Sequence, residues 1–499
     1  MRIDLQQPPP QMRTLEEVQT LINELWPLLR AFVSRSQEQA QLIERQAHII
    51  EEQGHLIQEQ SKRIDGLEEK LRTNSHNSSQ PPSTDSHRPP APKPPTGRKR
   101  GAQPGHPGKV RTLLPPEALT HTRDCRPGPC PACGGAVRIS GLCSRHQVID
   151  LPPIGPVVIE YRLFAGTCQA CGCHCEASLP PGVSARAAGA RLLAAIGALT
   201  GGYHLSKRQV QGVLADLFGI ELSVGAISEG EAKIGDALAG IVADAHAHVQ
   251  QAPVVHADET GHKQSGCRHW LWLVVAGAVA VFLAAATRST QAARAALGEG
   301  FAGILVSDRY GAYAWVDAQR RQLCWAHLLR DFAKMAERSG QPGKIGDELL
   351  FCAQRMFRFW HRVRDGTLRR DMFACHMLFL RHRIEALLRQ GADGSHAETA
   401  RTCRNILQWR TALWTFIDTP GVEPTNNQAE RTLRSFVIWR KTSFGTQSAR
   451  GSRYVERIMT VVGSCRLQGR HLLDFLTQAI QAHWGNGTVP SLVPASLAR

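Results

Sequence analysis

The chain has 499 residues, of which 42% are hydrophobic, so its length permits roughly three or four domains, most of them able to bury a core. Its formal net charge of +16 favours a polyanionic partner, nucleic acid before an anionic membrane. The N-terminal stretch has no apolar signal segment, so we expect a cytoplasmic protein without a membrane anchor. Its 14 cysteines are then expected to be reduced thiols, some bound to metal, rather than a disulfide scaffold.

The first predicted element is a helix with a heptad repeat. Between residues 39 and 66 isoleucine recurs every seven residues, at Ile43, Ile50, Ile57 and Ile64. A sustained heptad predicts a coiled coil, which indicates self-association. An upstream helix that begins at Leu15 is expected to be interrupted at Pro27. The alternative is a single solvated helix.

Residues 74–112 change in composition. Proline, serine, asparagine and glycine dominate, and basic residues greatly outnumber acidic ones. This composition predicts a disordered basic linker. Arg98, Lys99 and Arg100 are its densest cluster. We interpret the linker as an arm that contacts DNA phosphates, with a merely solvated linker as the alternative.

Two paired cysteines follow in glycine-rich surroundings. Cys130 and Cys133 form one CxxC pair, and Cys168 and Cys171 form the second. Two such knuckles on a hairpin predict a zinc ribbon in which four thiolates hold one structural Zn²⁺. Free thiols are the alternative, and a nearby residue could replace one of these ligands: Cys125, Cys173, His174 or Cys175.

Residues 187–230 have helical patterns on both sides of a short turn. Ser223 stands where it can cap the second helix. The order fits a helix-turn-helix that binds DNA, although any two packed helices would look similar. Further on, the apolar run 270–286 is predicted to form two strands around Gly277 rather than a membrane helix.

Two aspartates then follow strand-like segments. The predicted order is strand 252–259, strand 269–276, strand 279–286, helix 290–298 and strand 303–308. This is the opening of a ribonuclease-H-like sheet, in which the first and fourth strands are neighbours. Asp258 and Asp308 would then meet, and two adjacent carboxylates need a divalent cation between them. Glu259 should point to the opposite face of its strand, so we interpret it as non-ligating.

A third acid completes the set needed for two-metal phosphoryl transfer. The candidate is Glu430, on a predicted helix with an apolar face. Asn427, three residues earlier, is expected to contact DNA or to support the metal ligands. Its spacing from Glu430 also resembles a capping box, a role that needs no metal. Basic residues near Glu430 suit a passing DNA backbone, and they include Arg431, Arg434, Arg440 and Lys441.

Four phrases of the sequence together resemble the DDE transposases of the insertion-sequence sixty-six family. They are HADETG at 256–261, SDRYGAY at 307–313, CWAHLLRDF at 324–332 and NNQAERTLRSFVIWRK at 426–441. The paired cysteines and the linker phrase GRKRGAQPGHPGK match this family too, so the resemblance covers nearly the whole chain. Family members often have aspartate directly before the paired asparagines, whereas this chain has Thr425.

The resemblance implies that Asp258, Asp308 and Glu430 are the catalytic triad and hold two Mg²⁺ (or Mn²⁺) ions. It implies a nick at the element end, followed by joining of the freed 3′-OH to target DNA. Expected partners are the terminal inverted repeats, target DNA, a second protomer and accessory proteins of the same element. A bacterial, nucleoid-associated location would follow.

Several alternatives stay open at this point. The motif around His327 and Arg330 is a hallmark of the family, but His327 could be an ordinary helix histidine rather than a contact to the scissile phosphate. Asp331 is the rival third acid if Glu430 only caps its helix. The whole protein could instead be a structure-specific nuclease on the same core, or a non-catalytic DNA-binding repressor.

The expected fold class is multidomain α/β, with a ribonuclease-H-like core and a helical insertion, preceded by a coiled coil, a zinc ribbon and a helix-turn-helix. We expect the following segments in chain order: N-terminal helices with the coiled coil (1–73), the basic linker (74–112), the zinc-binding domain (113–180), the helix-turn-helix (181–248), the first part of the ribonuclease-H-like core (249–310), the helical insertion (311–420), the second part of the core with Glu430 (421–486) and a tail (487–499).

Overall fold

The computed structural model describes residues 11–72, 74, 112–183 and 187–494. The chain divides into two units, Met1–Ser86 and His87–Arg499, and each is described by itself. The basic cluster of Arg98, Lys99 and Arg100 lies outside the described residues.

The first unit contains one long helix, α1 (Leu15–Arg72). The expected interruption at Pro27 is wrong, because the helix continues through this residue. Proline removes a single backbone donor, and the good helix formers on both sides can propagate the helix across it. The isoleucines of the heptad seam are more than half exposed in the isolated chain, so the coiled coil stays a prediction.

The second unit begins with an extended cysteine-rich segment. Its regular structure is a short antiparallel pair, β1 (Ala165–Thr167) and β2 (His174–Glu176). The strands flank the second cysteine pair only, so the expected hairpin that carries both pairs is wrong. Residues 148–164, between the two pairs, have neither helix nor strand. Their valines and isoleucines are at least half exposed, so no packing partner fixes a strand there.

Four helices come next, and they are α2 (Ala190–Gly197), α3 (Lys207–Phe218), α4 (Val224–Ala237) and α5 (Ala239–Gln250). The predicted cap is confirmed, because the Ser223 side chain accepts a hydrogen bond from the Ala226 amide at 3.0 Å. The α4 helix packs against α2, α3 and α13 (Ala449–Gln468), and it contributes Ile227 and Ile234 to the main core.

A five-stranded sheet follows, formed by β3 (Val254–Gln264), β4 (Cys267–Ala276), β5 (Val279–Ala285), β6 (Ile304–Ser307) and β7 (Arg321–Leu323). Its spatial order is β5-β4-β3-β6-β7. The first three strands are antiparallel neighbours, whereas β6 runs parallel to β3 and β7 runs parallel to β6. The α6 helix (Thr290–Leu297) makes the crossover to β6. The apolar run therefore forms two strands around Gly277, as predicted.

The remaining helices fall into two groups. The first is α7 (Trp325–Ala336), α8 (Gln341–Arg364), α9 (Arg370–Ala392), α10 (Ala397–Gln408) and α11 (Thr415–Asp418). The second is α12 (Asn427–Ser443), α13 and α14 (Leu472–His483). No helix in the described parts of the chain is long and apolar enough to span a membrane.

Two hydrophobic cores flank the sheet. The larger core joins α2–α6 and α12–α14 to β3, β4, β5 and β6. The second core joins α7–α11 to Val306 of β6 and Leu323 of β7. The α12 helix therefore follows the second group of helices in sequence but packs on the first core, through Ala429, Leu433 and Phe436. This return of the chain brings its N-terminal end back to the middle of the sheet.

Candidate active site

Asp258 and Asp308 lie side by side at the centre of the sheet. The parallel register pairs Val254 with Ile304 and His256 with Val306. Asp258 lies two residues beyond the last pair in β3, and Asp308 directly follows the end of β6 at Ser307. The negative charge of Asp308 raises the pKa of Asp258, as expected of carboxylates that lie close together. One detail of the prediction is wrong, because β3 does not end at its acids. It continues to Gln264, since the antiparallel partner β4 pairs with it throughout.

The carboxylate of Asp258 is in a strongly unfavourable place for a charge. Burial is the largest cause that raises its pKa well above the usual range, and the negative charges of Glu259, Asp308 and Glu430 raise it further. The amide of Glu259 offsets part of this by donating to Asp258 Oδ1 at 2.9 Å. Acids that repel one another across a buried site indicate a place for a cation.

Glu430 reaches this site from the first turn of α12. Its half-buried carboxylate lies 3.7 Å from His327 Nδ1 and 3.7 Å from Cys324 Sγ. The interpretation of Asn427 as half of a capping box is wrong. Asn426 is the N-cap, no side-chain cap bond forms there, and Asn427 is exposed. The Glu430 side chain therefore contacts Cys324 and His327 instead of its own helix end, and its charge reaches Asp258.

Asn426 fixes the start of α12 on β3. Its buried amide donates from Nδ2 to the Ala257 carbonyl at 2.7 Å, which turns Oδ1 toward His256 Nδ1 at 3.1 Å. Because Oδ1 can only accept, Nδ1 of His256 must carry the hydrogen. Burial lowers the pKa of His256, so the ring is expected to be neutral. The sequence reasoning missed both residues, although the paired asparagines of the motif were a signal for Asn426.

Cys324, His327 and Glu430 form a group that could hold a metal ion. Their ligand atoms all lie within 4.8 Å of one another. His327 Nδ1 is buried without a hydrogen-bond partner, and it faces the carboxylate of Glu430. Burial and the charge of Glu430 raise the pKa of Cys324 to about 12, so its thiol stays protonated. Cys324 Sγ also accepts a hydrogen bond from the backbone amide of Asn426 at 3.2 Å. The sequence analysis did not name Cys324 as a separate site residue.

Glu259 has partners other than the acids, as its position on the strand predicts. Arg288 donates to its carboxylate through Nε at 2.8 Å and also through a terminal nitrogen. The hydroxyl of Tyr313 donates to Glu259 Oε2 at 2.5 Å. Glu259 is buried in this arrangement. Its charge still acts on its neighbour, because Glu259 contributes to the raised pKa of Asp258.

The chain around Asp308 is held by a buried arginine that the sequence reasoning missed. Arg321 is fully buried and donates to the Asp308 carbonyl at 2.9 Å. Its guanidinium lies over the ring of Trp409. Burial lowers the pKa of Arg321 to about 10, and it remains a cation at neutral pH. The amide of Tyr310 donates to Asp308 Oδ1 at 2.9 Å, which orients that carboxylate.

Asp331 is a weaker candidate for the third acid than Glu430. Its carboxylate is paired with Arg309, whose other terminal nitrogen donates to Asn405 at 2.6 Å. Burial raises the pKa of Asp331, while the positive charge of Arg309 lowers it. Arg330, the other residue of this motif named from the sequence, is partly exposed on the same helix.

The basic residues of α12 have different surroundings. Arg431, Arg434 and Lys441 are exposed, as a contact to DNA requires. Arg440 is tied to the sheet, because its guanidinium donates to Thr260 Oγ1 at 2.7 Å and to the carbonyl of the next residue. Burial lowers its pKa. Arg440 therefore also fastens α12 to β3.

The cysteine pairs form two knuckles of matching geometry. In the first knuckle, Cys130 and Cys133, the Gly134 amide donates to the Cys130 carbonyl at 2.8 Å. In the second knuckle, Cys168 and Cys171, the Gly172 amide donates to the Cys168 carbonyl at 2.9 Å. Hydrogen bonds from the knuckle backbones lower the pKa of the first cysteine in each. Within the described residues, the four thiols are not gathered into one cluster.

Comparison with protein families matches most of the chain. A model described as Transposase IS66 family matches residues 186–454, which is more than half of the chain and includes all three acids. A second model, the zinc-finger binding domain of transposase IS66, matches residues 127–172 and so contains both knuckles. This match supports one structural Zn²⁺. A third model, a family of unknown function, matches residues 7–112.

Two curated relatives come from Sinorhizobium fredii. The uncharacterized protein y4qI is 28% identical over 214 residues, 39% of each chain. The uncharacterized protein y4jD is 22% identical over 264 residues, which is 47% of this chain and 51% of the relative. This chain thus spans about half or less of the curated relatives that it matches. The assignment rests instead on the family model that covers the sheet, its acids and α12: the chain belongs to the IS66 family of transposases.

Proposed function

We propose that this protein is a DDE transposase that nicks the ends of an insertion sequence and joins the freed 3′-OH to target DNA. The observation that carries the proposal is the convergence of three acids from distant parts of the chain. Asp258 and Asp308 come from the neighbouring parallel strands β3 and β6, and Glu430 comes from α12. The negative charge of Glu430 contributes to the raised pKa of Asp258. The sheet order supports a ribonuclease-H-like core, the fold expected from the sequence.

The residues present fit divalent cations. Asp258 is buried beside like charges, and His327 Nδ1 is buried without a partner. Both observations match a site whose charge is balanced by metal. Asp258, Asp308 and Glu430 would hold two Mg²⁺ or Mn²⁺ ions. When bound, such ions lower the pKa of a water or a 3′-hydroxyl and balance charge on the leaving oxygen.

The surrounding residues then have positioning roles. Asn426 and Arg440 fasten α12 to β3, so that Glu430 is held toward the two aspartates. Arg321 and the Tyr310 amide hold the backbone and carboxylate of Asp308. His327 would contact a scissile phosphate through Nε2, because Nδ1 is buried and faces Glu430. Precise placement matters, because a shift of about 1 Å can cost 10²-fold in rate.

DNA would be held by basic surfaces that lie outside the group of Asp258, Asp308 and Glu430. The exposed Arg431, Arg434 and Lys441 lie on the helix that carries Glu430, and the basic linker would follow the backbone. The zinc domain would contribute to recognition of the terminal inverted repeats. The long α1 would pair two protomers as a coiled coil, so that both ends are cut together. Accessory proteins of the same element remain expected partners.

The proposed helix-turn-helix receives less support from the fold. The second helix of the pair, α4, is packed between α2, α3 and α13. It also bears Glu229 and Glu231, and acids repel DNA phosphates. These contacts favour the alternative of two packed helices, so we assign end recognition to the zinc domain and the linker first.

The test is a strand-transfer assay with purified protein, a pre-cut element end, target plasmid and Mg²⁺. Asp308→Ala and Glu430→Ala are expected to abolish joining while retaining DNA binding. Asp331→Asn, which removes the rival acid, is expected to retain joining. Cleavage without joining by the wild type would identify a nuclease instead. Binding that is unaffected by Asp308→Ala, with no metal-dependent cleavage by the wild type, would identify a repressor.

A further inference from the structure

Phe444 is in an unfavourable conformation and an unfavourable environment. It is the first residue after α12, with a φ of 58° in the left-handed region. Bulky side chains rarely adopt this region, where glycine or asparagine is usual. Its side chain is also 81% exposed. Within the described residues, the other non-glycine residues with positive φ are His204 and Ser265, and neither has an apolar side chain.

The chain on both sides holds Phe444 in this position. The Phe444 amide donates to the Arg440 carbonyl at 3.1 Å, and the Thr446 amide donates to the Lys263 carbonyl at 2.9 Å. Gly445, with a φ of 106°, lies so close to β3 that an added Cβ would be 2.3 Å from the Lys263 carbonyl oxygen. The loop is thus fastened to the β3–β4 hairpin, and the Phe444 ring is held away from the protein.

Basic residues outnumber acidic ones around the ring, although Arg450 is paired with Glu229 of α4 and Glu231 lines the same cavity as Gly445. From Arg431 to Val455 the sequence has six arginines and lysines and no acid. The β3–β4 hairpin, against which the loop packs, adds Lys263 and Arg268 and has no acid after Glu259. An aromatic ring on such a surface matches the combination that binds nucleic acid, because cations contact the phosphates and the ring stacks on a base.

We propose that Phe444 is a binding site for an unstacked DNA base. The inference rests on the proposed function, since it places the base on the DNA that the acids would cut. Phe444 follows Glu430 by 14 residues on one helix, which is about 21 Å at 1.5 Å per residue. For DNA that runs parallel to α12, at 3.4 Å per base pair, the contacted base would lie about six base pairs from the scissile phosphate.

The residues around Phe444 also indicate DNA rather than a protein as the partner of the ring. A protein interface would bury the ring among other apolar side chains, but the adjacent exposed residues are Lys441, Thr442 and Gln447. Aromatic side chains that enter DNA unstack the neighbouring bases and kink the duplex. A base that is already unpaired removes most of that cost, so the proposal predicts a preference for mismatched DNA.

The experiment compares two 30-base-pair fluorescent duplexes, one fully paired and one with two central T·T mismatches, by anisotropy at equal salt. Wild type is expected to bind the mismatched duplex about tenfold more tightly, the range of one stacked base. Phe444→Gly and Phe444→Asn are expected to lose this preference, and Phe444→Tyr to keep it. Phe379→Ala is the matched control, because Phe379 is 72% exposed on α9; it should keep the preference.

Stability separates binding from folding in these variants. Phe444→Gly removes the left-handed strain, so its Tm is expected to equal or exceed that of the wild type. A further readout locates the contact: 5-iododeoxyuridine at the mismatch should crosslink on irradiation to a peptide that contains Phe444. Asp308→Ala should keep the preference, because stacking does not need the acids.

A preference that survives Phe444→Gly would overturn the proposal. A change in the oligomeric mass of Phe444→Gly, with the mismatch preference unchanged, would also overturn the proposal and would show that the ring contacts protein. A wild type that joins DNA without any mismatch preference would refute the stacking site and leave the proposed function intact. A wild type that neither binds nor joins DNA would refute both.

Discussion

Asn426→Ala tests how the third acid is held. The side chain joins α12 to β3 through two buried hydrogen bonds, from Nδ2 to the Ala257 carbonyl and between Oδ1 and His256 Nδ1. Alanine removes both and leaves two buried polar groups without partners, since His256 is 4% exposed and Ala257 is 2% exposed. At about 1–3 kcal/mol for each of the two unsatisfied groups, the free energy of unfolding should fall by about 2–6 kcal/mol.

The neighbouring asparagine is the matched control. Asn427 has the same side chain but is exposed, so Asn427→Ala should change the free energy of unfolding by no more than about 0.5 kcal/mol. Urea denaturation of both variants measures the difference. Strand transfer by the two should diverge in the same way, with a loss of about 10²-fold for Asn426→Ala because Glu430 is no longer positioned. Equal effects of the two substitutions on stability and strand transfer would refute the role of Asn426 in holding α12 on β3, and would favour Asn427 as half of a capping box.

The remaining predictions concern charge and metal. Asp258→Asn should stabilise the metal-free protein at neutral pH, because folding raises the pKa of Asp258. The stability of the wild type falls as the pH rises from the unfolded-state pKa of this group through its folded-state pKa. The gain from the substitution, measured by thermal melts in chelator, should therefore vanish at acidic pH. Glu259→Gln should instead destabilise the protein by about 1–3 kcal/mol, since the partly exposed Arg288 loses a carboxylate partner; a gain in stability would contradict the ion pair. Cys324, with a thiol pKa of about 12, should react with iodoacetamide far more slowly than the exposed Cys267 at pH 8, as mass spectrometry would detect. The protein should contain one zinc by elemental analysis, and serine at both cysteines of the first knuckle should remove it; full zinc retention would contradict these ligands.

Four strands of the central sheet were predictable because their signals are local. The fifth, β7 (Arg321–Leu323), was missed, and it lies in the segment 311–420 that was expected to be a helical insertion. Alternating and continuous apolar runs identified β3, β4 and β5, and Gly277 identified the turn between β4 and β5. The neighbouring position of β3 and β6 followed from the order of strands and one crossover helix. The apolar face of its helix, formed by the buried Ala429, Leu433 and Phe436, made Glu430 a candidate. The resemblance to the transposase family, rather than this pattern, implied that it is the third acid.

Contacts between distant segments could not be predicted in this way. Arg321 is buried under Asp308, although a lone arginine in a sequence is normally assigned to the surface. Asn426 and Asn427 are adjacent and identical in type, and only the packing of β3 decides which one is buried. The end of β3 was misplaced because the pairing with β4 carries the strand past its acids. Pro27 is a strong helix breaker locally, but a long helix can absorb one missing hydrogen bond.

The return of α12 to the first core has a consequence for protein synthesis. Between Asp308 and Glu430 the ribosome must add 430 − 308 = 122 residues, which takes roughly 6–24 s at 5–20 residues per second. During that interval the nascent chain has both aspartates but not the third acid. During the same interval the first core is incomplete, because α12, α13 and α14 supply part of its buried side chains. A chain that is released early would therefore lack the third acid, the exposed basic residues of α12 and the packing that holds the sheet.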